Sequence, residues 1–255
     1  MSGRLESKVC VITGAGGGMG EEAARVFTAE GARVVVADVD GSAASRVAGE
    51  VGGLPVRVDV SDEDSVQSLF RAAADEYGGI DVLYNNAGIS PADDDSILET
   101  GLDAWERVQA VNTRGVYLCC KHGIPYLLER GGGSVINVAS FVALVGAATS
   151  QISYTASKGA VLSLSKELGV QFARQGIRVN ALCPGPVETP LLLRIWGETP
   201  DAAERRLVHL PMGRMAQPRE IVNAALFLAS DESSYVNAAT FVVDGGLSAA
   251  YVTPE

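Results

Sequence analysis

Seven short apolar runs, most of them rich in β-branched residues and separated by helical stretches, constrain this chain more than any other feature. The runs are KVCVITG (8–14), ARVVVAD (32–38), LPVRVDV (54–60), IDVLYNNAG (80–88), SVINVAS (134–140), IRVNALCPG (177–185) and TFVVDGG (240–246). Helices are expected after the first run to about residue 30, from about 42, and over about 62–77, 102–130, 154–174 and 220–229. Strands that are apolar throughout, rather than alternately, are buried on both faces. With helices between them they predict an α/β fold: a doubly wound parallel sheet of about seven strands, with helices on both faces. No Pro/Ser-rich linker, low-complexity tract or clear repeat divides the 255 residues, so one domain over 1–255 is expected. The stretch 191–218 is too long for a tight connection and mixes Leu, Trp196, Arg and prolines. Connections of that length often close over a site, and it is expected to be a substrate lid.

Composition narrows the partners. Twenty basic against 31 acidic residues leave a net charge of −11, which argues against a nucleic-acid backbone or an anionic membrane as partner. The four cysteines (Cys10, Cys119, Cys120, Cys183) show no CxxC or metal spacing and are expected to be buried free thiols. The start, MSGRLESKVC, lacks an apolar signal region, and no apolar run reaches transmembrane length. The expectation is a cytoplasmic protein.

The first strand runs into TGAGGGMG (13–20) at the start of the first helix. Missing side chains let a backbone approach a pyrophosphate, which is then held by the amides and positive end of the helix N-terminus. Thr13, Gly14, Gly18 and Gly20 set the pattern, with Met19 inside it. At the end of a first α/β strand this is a Rossmann-type dinucleotide site. Asp38 ends the second strand, where a carboxylate hydrogen-bonds the adenine ribose hydroxyls and repels a 2′-phosphate. Gly17 offers no basic side chain, and Arg33 starts the strand, remote from the site. These features favour NAD over NADP. The competing reading of Asp38 is a turn-former before Val39-Asp40-Gly41.

YTASK places Tyr154 and Lys158 four apart, on one face of a helix. A free phenol titrates near ~10, and a neighbouring ammonium is expected to lower that value toward the range of a general acid/base.

Taken in order, TGAGGGMG, NNAG (85–88), Asn112, Ser140, YTASK, Pro184-Gly185, Thr189 and VDGG (243–246) resemble the short-chain dehydrogenase/reductase family over essentially the whole chain. The resemblance implies that Asp59 and Val60 border the adenine and that Asn86 and Gly88 line the cofactor trough. It implies that Lys158 holds the nicotinamide ribose and lowers the Tyr154 pKa. Ser140 would hold the substrate oxygen, and Asn112 would order a water in a proton relay. Val187 and Thr189, beyond Pro184 and Gly185, would meet the carboxamide. It also implies a homotetramer, with the helices around 102–130 and 154–174 packing across a twofold axis. Ala160, Leu164, Leu168 and Phe172 recur at helical spacing and suit either the sheet or a partner.

The chain departs from the family in one respect. Ser140 and Tyr154 stand one residue further apart than is common, and the loop over 146–153 is expected to absorb it. Ser150 and Ser153 are the rivals, but only Ser140 ends a strand. No metal site is expected. The acids at 93–95 read as a solvated loop, and the two histidines, His122 and His209, as structural or surface residues. No GxSxG or HExxH is present. The predicted activity is NAD(H)-dependent interconversion of a secondary alcohol and a ketone, a small-molecule substrate, with Tyr154 as general acid/base. A 3-oxoacyl-acyl-carrier-protein reductase is the enzymatic alternative. A non-catalytic dinucleotide sensor or scaffold is the alternative of another kind.

Overall fold

The computed structural model describes residues 3–147, 149–190, 192 and 207–250. Seven strands form one sheet: β1 (Val9–Thr13), β2 (Arg33–Asp38), β3 (Leu54–Arg57), β4 (Val82–Asn85), β5 (Gly133–Val138), β6 (Ile177–Pro184) and β7 (Thr240–Val243). The helices are α1 (Gly18–Ala29), α2 (Gly41–Val51), α3 (Glu63–Tyr77), α4 (Leu102–Val108), α5 (Gly115–Glu129), α6 (Ile152–Phe172) and α7 (Pro218–Ala229). The strand order is β3-β2-β1-β4-β5-β6-β7 and every pairing is parallel. The chain winds outward from β1 to β3, then restarts at β4 on the other side of β1. In such sheets the crevice at the carboxyl ends of the strands flanking that reversal is where ligands bind.

Successive strand residues face opposite sides of a sheet. Cys10, Ile12, Val34, Val36, Tyr84 and Ile136 therefore pack in one core with α1, α2 and α7. Val9, Val11, Val35, Leu83, Val135 and Val179 pack in the other with α3, α5 and α6. The doubly wound architecture expected from the apolar runs is the one observed. All four cysteines are buried and free.

Several elements differ from the sequence reading: β3 and β7 end at Arg57 and Val243, three residues before the ends of the runs expected over 54–60 and 240–246. The fourth strand stops at Asn85, because the Asn86 N–H turns back onto Tyr84 O (3.0 Å) and Thr13 Oγ1 (3.2 Å). The helical region expected over 102–130 is broken into α4 and α5 by a π-helical stretch, Gln109–Arg114. Most of the lid expected over 191–218 lies outside the described residues. Its described end is anchored, with Leu210 buried and Ala216 bridging to Val187.

Candidate active site

The first βα turn is built by exclusion of side chains. Gly14 has φ +64, and a Cβ there would fall 2.8 Å from Ala87 Cα. A Cβ on Gly20 would fall 2.1 Å from Gly14 O, so α1 can reach the turn only without one. The turn is then pinned to β4. Thr13 Oγ1 accepts from the N–H groups of Asn86 and Ala87, both at 3.2 Å. Asn86 Nδ2 donates to Thr13 O (3.0 Å) and Gly14 O (3.1 Å), while its Oδ1 is buried without a partner. No side chain caps α1, so the first-turn amides around Gly18, Met19 and Gly20 are free of a side-chain cap at the positive helix end. Asp38 closes the lip: Oδ2 accepts from Gly16 N–H (2.8 Å) and Oδ1 from Asp40 N–H (3.0 Å). Both readings of Asp38, site residue and turn-former, describe the same carboxylate. A bare backbone cradle, an open buried acceptor and a carboxylate at the end of β2 fit a dinucleotide.

Beyond the cradle, Asp59 Oδ1 accepts from Ser61 N–H (2.9 Å), making the turn that leads to α3. Val60 is buried against Gly115, where a Cβ would come within 2.8 Å of its Cγ2. Gly185 N–H donates to Val243 O (2.9 Å) just after Pro184 ends β6. Val187 is buried, and Thr189 lies within 3.7 Å of where a Gly18 Cβ would stand, so the β6 connection folds back over the start of α1.

The reacting groups come from three elements. Ser140 follows β5, and its Oγ accepts from Val142 N–H (3.3 Å) at the head of a short 3-10 turn. The Ser140 hydroxyl is near enough to the Tyr154 phenol to oppose the rise of its pKa. Its rivals are placed differently: Ser150 is exposed and Ser153 Oγ is turned away onto Trp105 O (3.1 Å). Lys158 Nζ stands 5.4 Å from the Tyr154 ring centroid and donates to Val138 O (2.8 Å). A Cβ on Gly88 would meet Lys158 Nζ and Asn112 Oδ1, each at 3.4 Å, so all three converge on one point.

Burial governs the electrostatics. It raises the Tyr154 phenol, with the Ser140 hydroxyl opposing, and it lowers Lys158 to about 8. The expected lowering of Tyr154 by Lys158 is not what this geometry gives. The ammonium is spent on a carbonyl, and desolvation disfavours charge on both groups.

Asn112 is fully buried, not solvent-facing. Its Oδ1 accepts from Ile89 N–H (2.8 Å), and its Nδ2 donates to Ile89 O (2.9 Å) and Ser157 Oγ (3.1 Å). It lies within the π-helical stretch, a distortion common at functional sites. The sequence reading missed four supports. Gly16 N–H bonds Asp38, and Ser157 takes Asn112 onto α6. Asn85 Nδ2 donates to Asn137 Oδ1 (2.8 Å), whose Nδ2 donates to Ser165 Oγ (2.9 Å) on α6. The fourth is a correction. Asp94, read as part of a solvated acidic loop, is buried and accepts from two amides of α6. Asp93 does lie exposed, paired with Arg107 at 2.7 Å.

A family model described as enoyl-(acyl carrier protein) reductase matches residues 14–248. The meso-2,3-butanediol dehydrogenase of Serratia marcescens is 40% identical, over 99% of this chain and 99% of its own. The cis-4-hydroxycyclohexanecarboxylate dehydrogenase of Sinomonas cyclohexanicum is 41% identical, over 98% and 100%. Among solved structures, a 3-ketoacyl-(acyl-carrier-protein) reductase from Brucella melitensis complexed with NADH superposes with a TM-score of 0.88. It is 38% identical, covering 96% of this chain and 99% of that one. Matched by these relatives over nearly its whole length, the chain belongs to the short-chain dehydrogenase/reductase family.

Proposed function

We propose that this protein is an NAD(H)-dependent oxidoreductase that interconverts a small secondary alcohol and its ketone, in line with its dehydrogenase relatives. The observation that carries the reading is the convergence of Lys158 Nζ, 5.4 Å from the Tyr154 ring, with Gly88 and Asn112, and with Ser140 following β5, at the carboxyl edge of the sheet. Bound NAD supplies the acceptor for the carbinol hydride, and NADH its donor in reverse. Ser140 holds the substrate oxygen by its hydroxyl. Tyr154 takes the carbinol proton during oxidation and returns it during reduction. Lys158 holds the nicotinamide ribose from its place 5.4 Å from the Tyr154 ring. Asn112 braces Gly88 and Ile89 against α6, and the water-ordering role implied by the resemblance would use the remaining lone pair of its Oδ1. The segment 191–218 belongs to the same single domain as its substrate lid.

NAD-linked turnover of meso-2,3-butanediol or cis-4-hydroxycyclohexanecarboxylate, followed by NADH absorbance, is the expected result. The Brucella structure favours a second reading, a 3-oxoacyl-acyl-carrier-protein reductase. Reduction of an acetoacetyl thioester with both alcohols untouched would replace the first reading by that one. Tight NADH binding without turnover of any of them would leave only a sensor.

The proposal includes a homotetramer in the cytoplasm. Free buried thiols in all four cysteines suit a reducing compartment. Support for assembly comes from α5 and α6. A surface depression between α4, the π-helical stretch and α6 is lined by Trp105, Ala110, Tyr117, Ala160 and Leu164. Leu164, Leu168 and Phe172 are only partly buried against the core, because Val161 and Leu162 already face it. The expected mass by light scattering at micromolar concentration is that of four chains. A monomer mass would refute the assembly.

A further inference from the structure

Three successive amides at the start of α6 are held by one short segment of the β4–α4 connection. Ile152 N–H donates to Asp95 O (3.1 Å), Ser153 N–H to Asp94 Oδ1 (2.8 Å) and Tyr154 N–H to Asp94 Oδ2 (2.8 Å). Asp94 is only 5% exposed, and each carboxylate oxygen takes one amide. The same connection carries Ile89, whose N–H and C=O both pair with Asn112. Asn112 and the backbone of Tyr154 are thus tied to opposite ends of the segment 89–95.

We propose that Asp94 is a positioning residue for the reaction: by fixing the first turn of α6, it fixes where the Tyr154 phenol stands relative to Ser140. This rests on the acid/base role given to Tyr154 above. Asp94 reaches the phenol through the backbone, holding the very amide of the reacting residue. An ordinary cap would support the whole helix, but α6 has other anchors further along. Ser157 bonds Asn112, Lys158 bonds Val138 O, and Ser165 bonds Asn137. Loss of the Asp94 carboxylate therefore frees the turn carrying Tyr154 and leaves the rest of the helix docked. The side chain of Ser153 is also held, by Trp105 O and Gln109 Nε2 (3.1 Å each), which limits the release to small displacements. Displacements of that size are enough to matter, since misplacing a reacting group by ~1 Å can cost ~10²-fold in rate.

The test compares Asp94→Ala, Asp94→Asn, Asp93→Asn and Tyr154→Phe. In the ligand-free protein, amide exchange at residues 152–154 should accelerate in Asp94→Ala while residues 161–169 exchange as before. On the alcohol that the wild type oxidises, kcat should fall by ~10–100-fold with NADH affinity unchanged. Asp94→Asn keeps one acceptor oxygen and should restore part of both readouts, and it serves as the decisive variant if Asp94→Ala does not fold. Asp93→Asn, in the same loop but exposed, should behave as wild type. Unchanged exchange at 152–154 overturns the proposal. So does a normal kcat in Asp94→Ala beside an inactive Tyr154→Phe. Retained turnover in Tyr154→Phe would instead sink the acid/base reading itself, and with it the purpose assigned to Asp94.

Discussion

Replacing Tyr154 by Phe should reduce turnover by ~10²–10⁴-fold while NAD still binds. The ring remains in its place on α6, so the fold and the cradle formed by Thr13, Gly14 and Gly20 are untouched. The phenol oxygen beside Ser140 is lost, and with it the group assigned to take the carbinol proton. The direction of the Tyr154 shift adds a pH signature. Burial raises the phenol above its ordinary value, so the basic form needed for oxidation is scarce at neutral pH. Oxidation by the wild type should therefore accelerate as pH rises into the alkaline range, while ketone reduction, which needs the protonated phenol, should slow. The variant should lose both trends. Turnover within a fewfold of wild type in Tyr154→Phe, on a substrate that the wild type handles well, would show the assigned chemistry to be wrong.

The architecture was legible in the sequence because burial on two faces leaves runs such as VVVA and VINV with no polar alternation. The cradle was legible because a backbone that must touch a phosphate and a second strand cannot carry side chains. The proximity of Tyr154 and Lys158 was legible because they are one helical turn apart. What could not be read depends on partners distant in sequence. Asp94 and Tyr154 are separated by 60 positions, and nothing about three consecutive acids says which one folds inward. Asn137 reads as one more residue in an apolar strand until Asn85 and Ser165 arrive from β4 and α6. The π-helical stretch around Asn112 keeps a helical periodicity closely enough that composition does not reveal the widened turn. The sign of the Tyr154 shift was also hidden. Adjacency to a lysine is visible in a sequence, but the desolvation that outweighs it is set by three dimensions.

The strongest cofactor prediction rests on Asp38. NAD should be preferred to NADP by at least ~10²-fold in kcat/KM, since placing like charges together costs several kcal/mol and each 1.4 kcal/mol is about tenfold. The carboxylate is locked at the lip of the glycine turn. Gly16 N–H and Asp40 N–H each take one lone pair, leaving a second on each oxygen for ribose hydroxyls. A Cβ on Gly16 would fall 2.9 Å from Oδ2, so the carboxylate has little freedom to swing away from a 2′-phosphate. One cation does approach the turn, which the sequence did not reveal. Arg46 Nη2 donates to Gly16 O (3.0 Å). Its charge is already matched by Glu21 (3.0 Å) and Glu50 (2.8 Å), so it is not free to receive a phosphate. Arg33 lies at the opposite end of β2, over the Tyr77 ring. Val39 is 60% exposed beside Asp38, giving an introduced side chain room to reach the ribose edge. Asp38→Ala with Val39→Arg should therefore flatten or reverse the preference, mainly through a gain with NADP, while turnover at saturating cofactor stays within reach of wild type. Equal wild-type kcat/KM with the two cofactors would remove the role given to Asp38. An unaltered NAD preference in the double variant would place the discrimination elsewhere in the cradle.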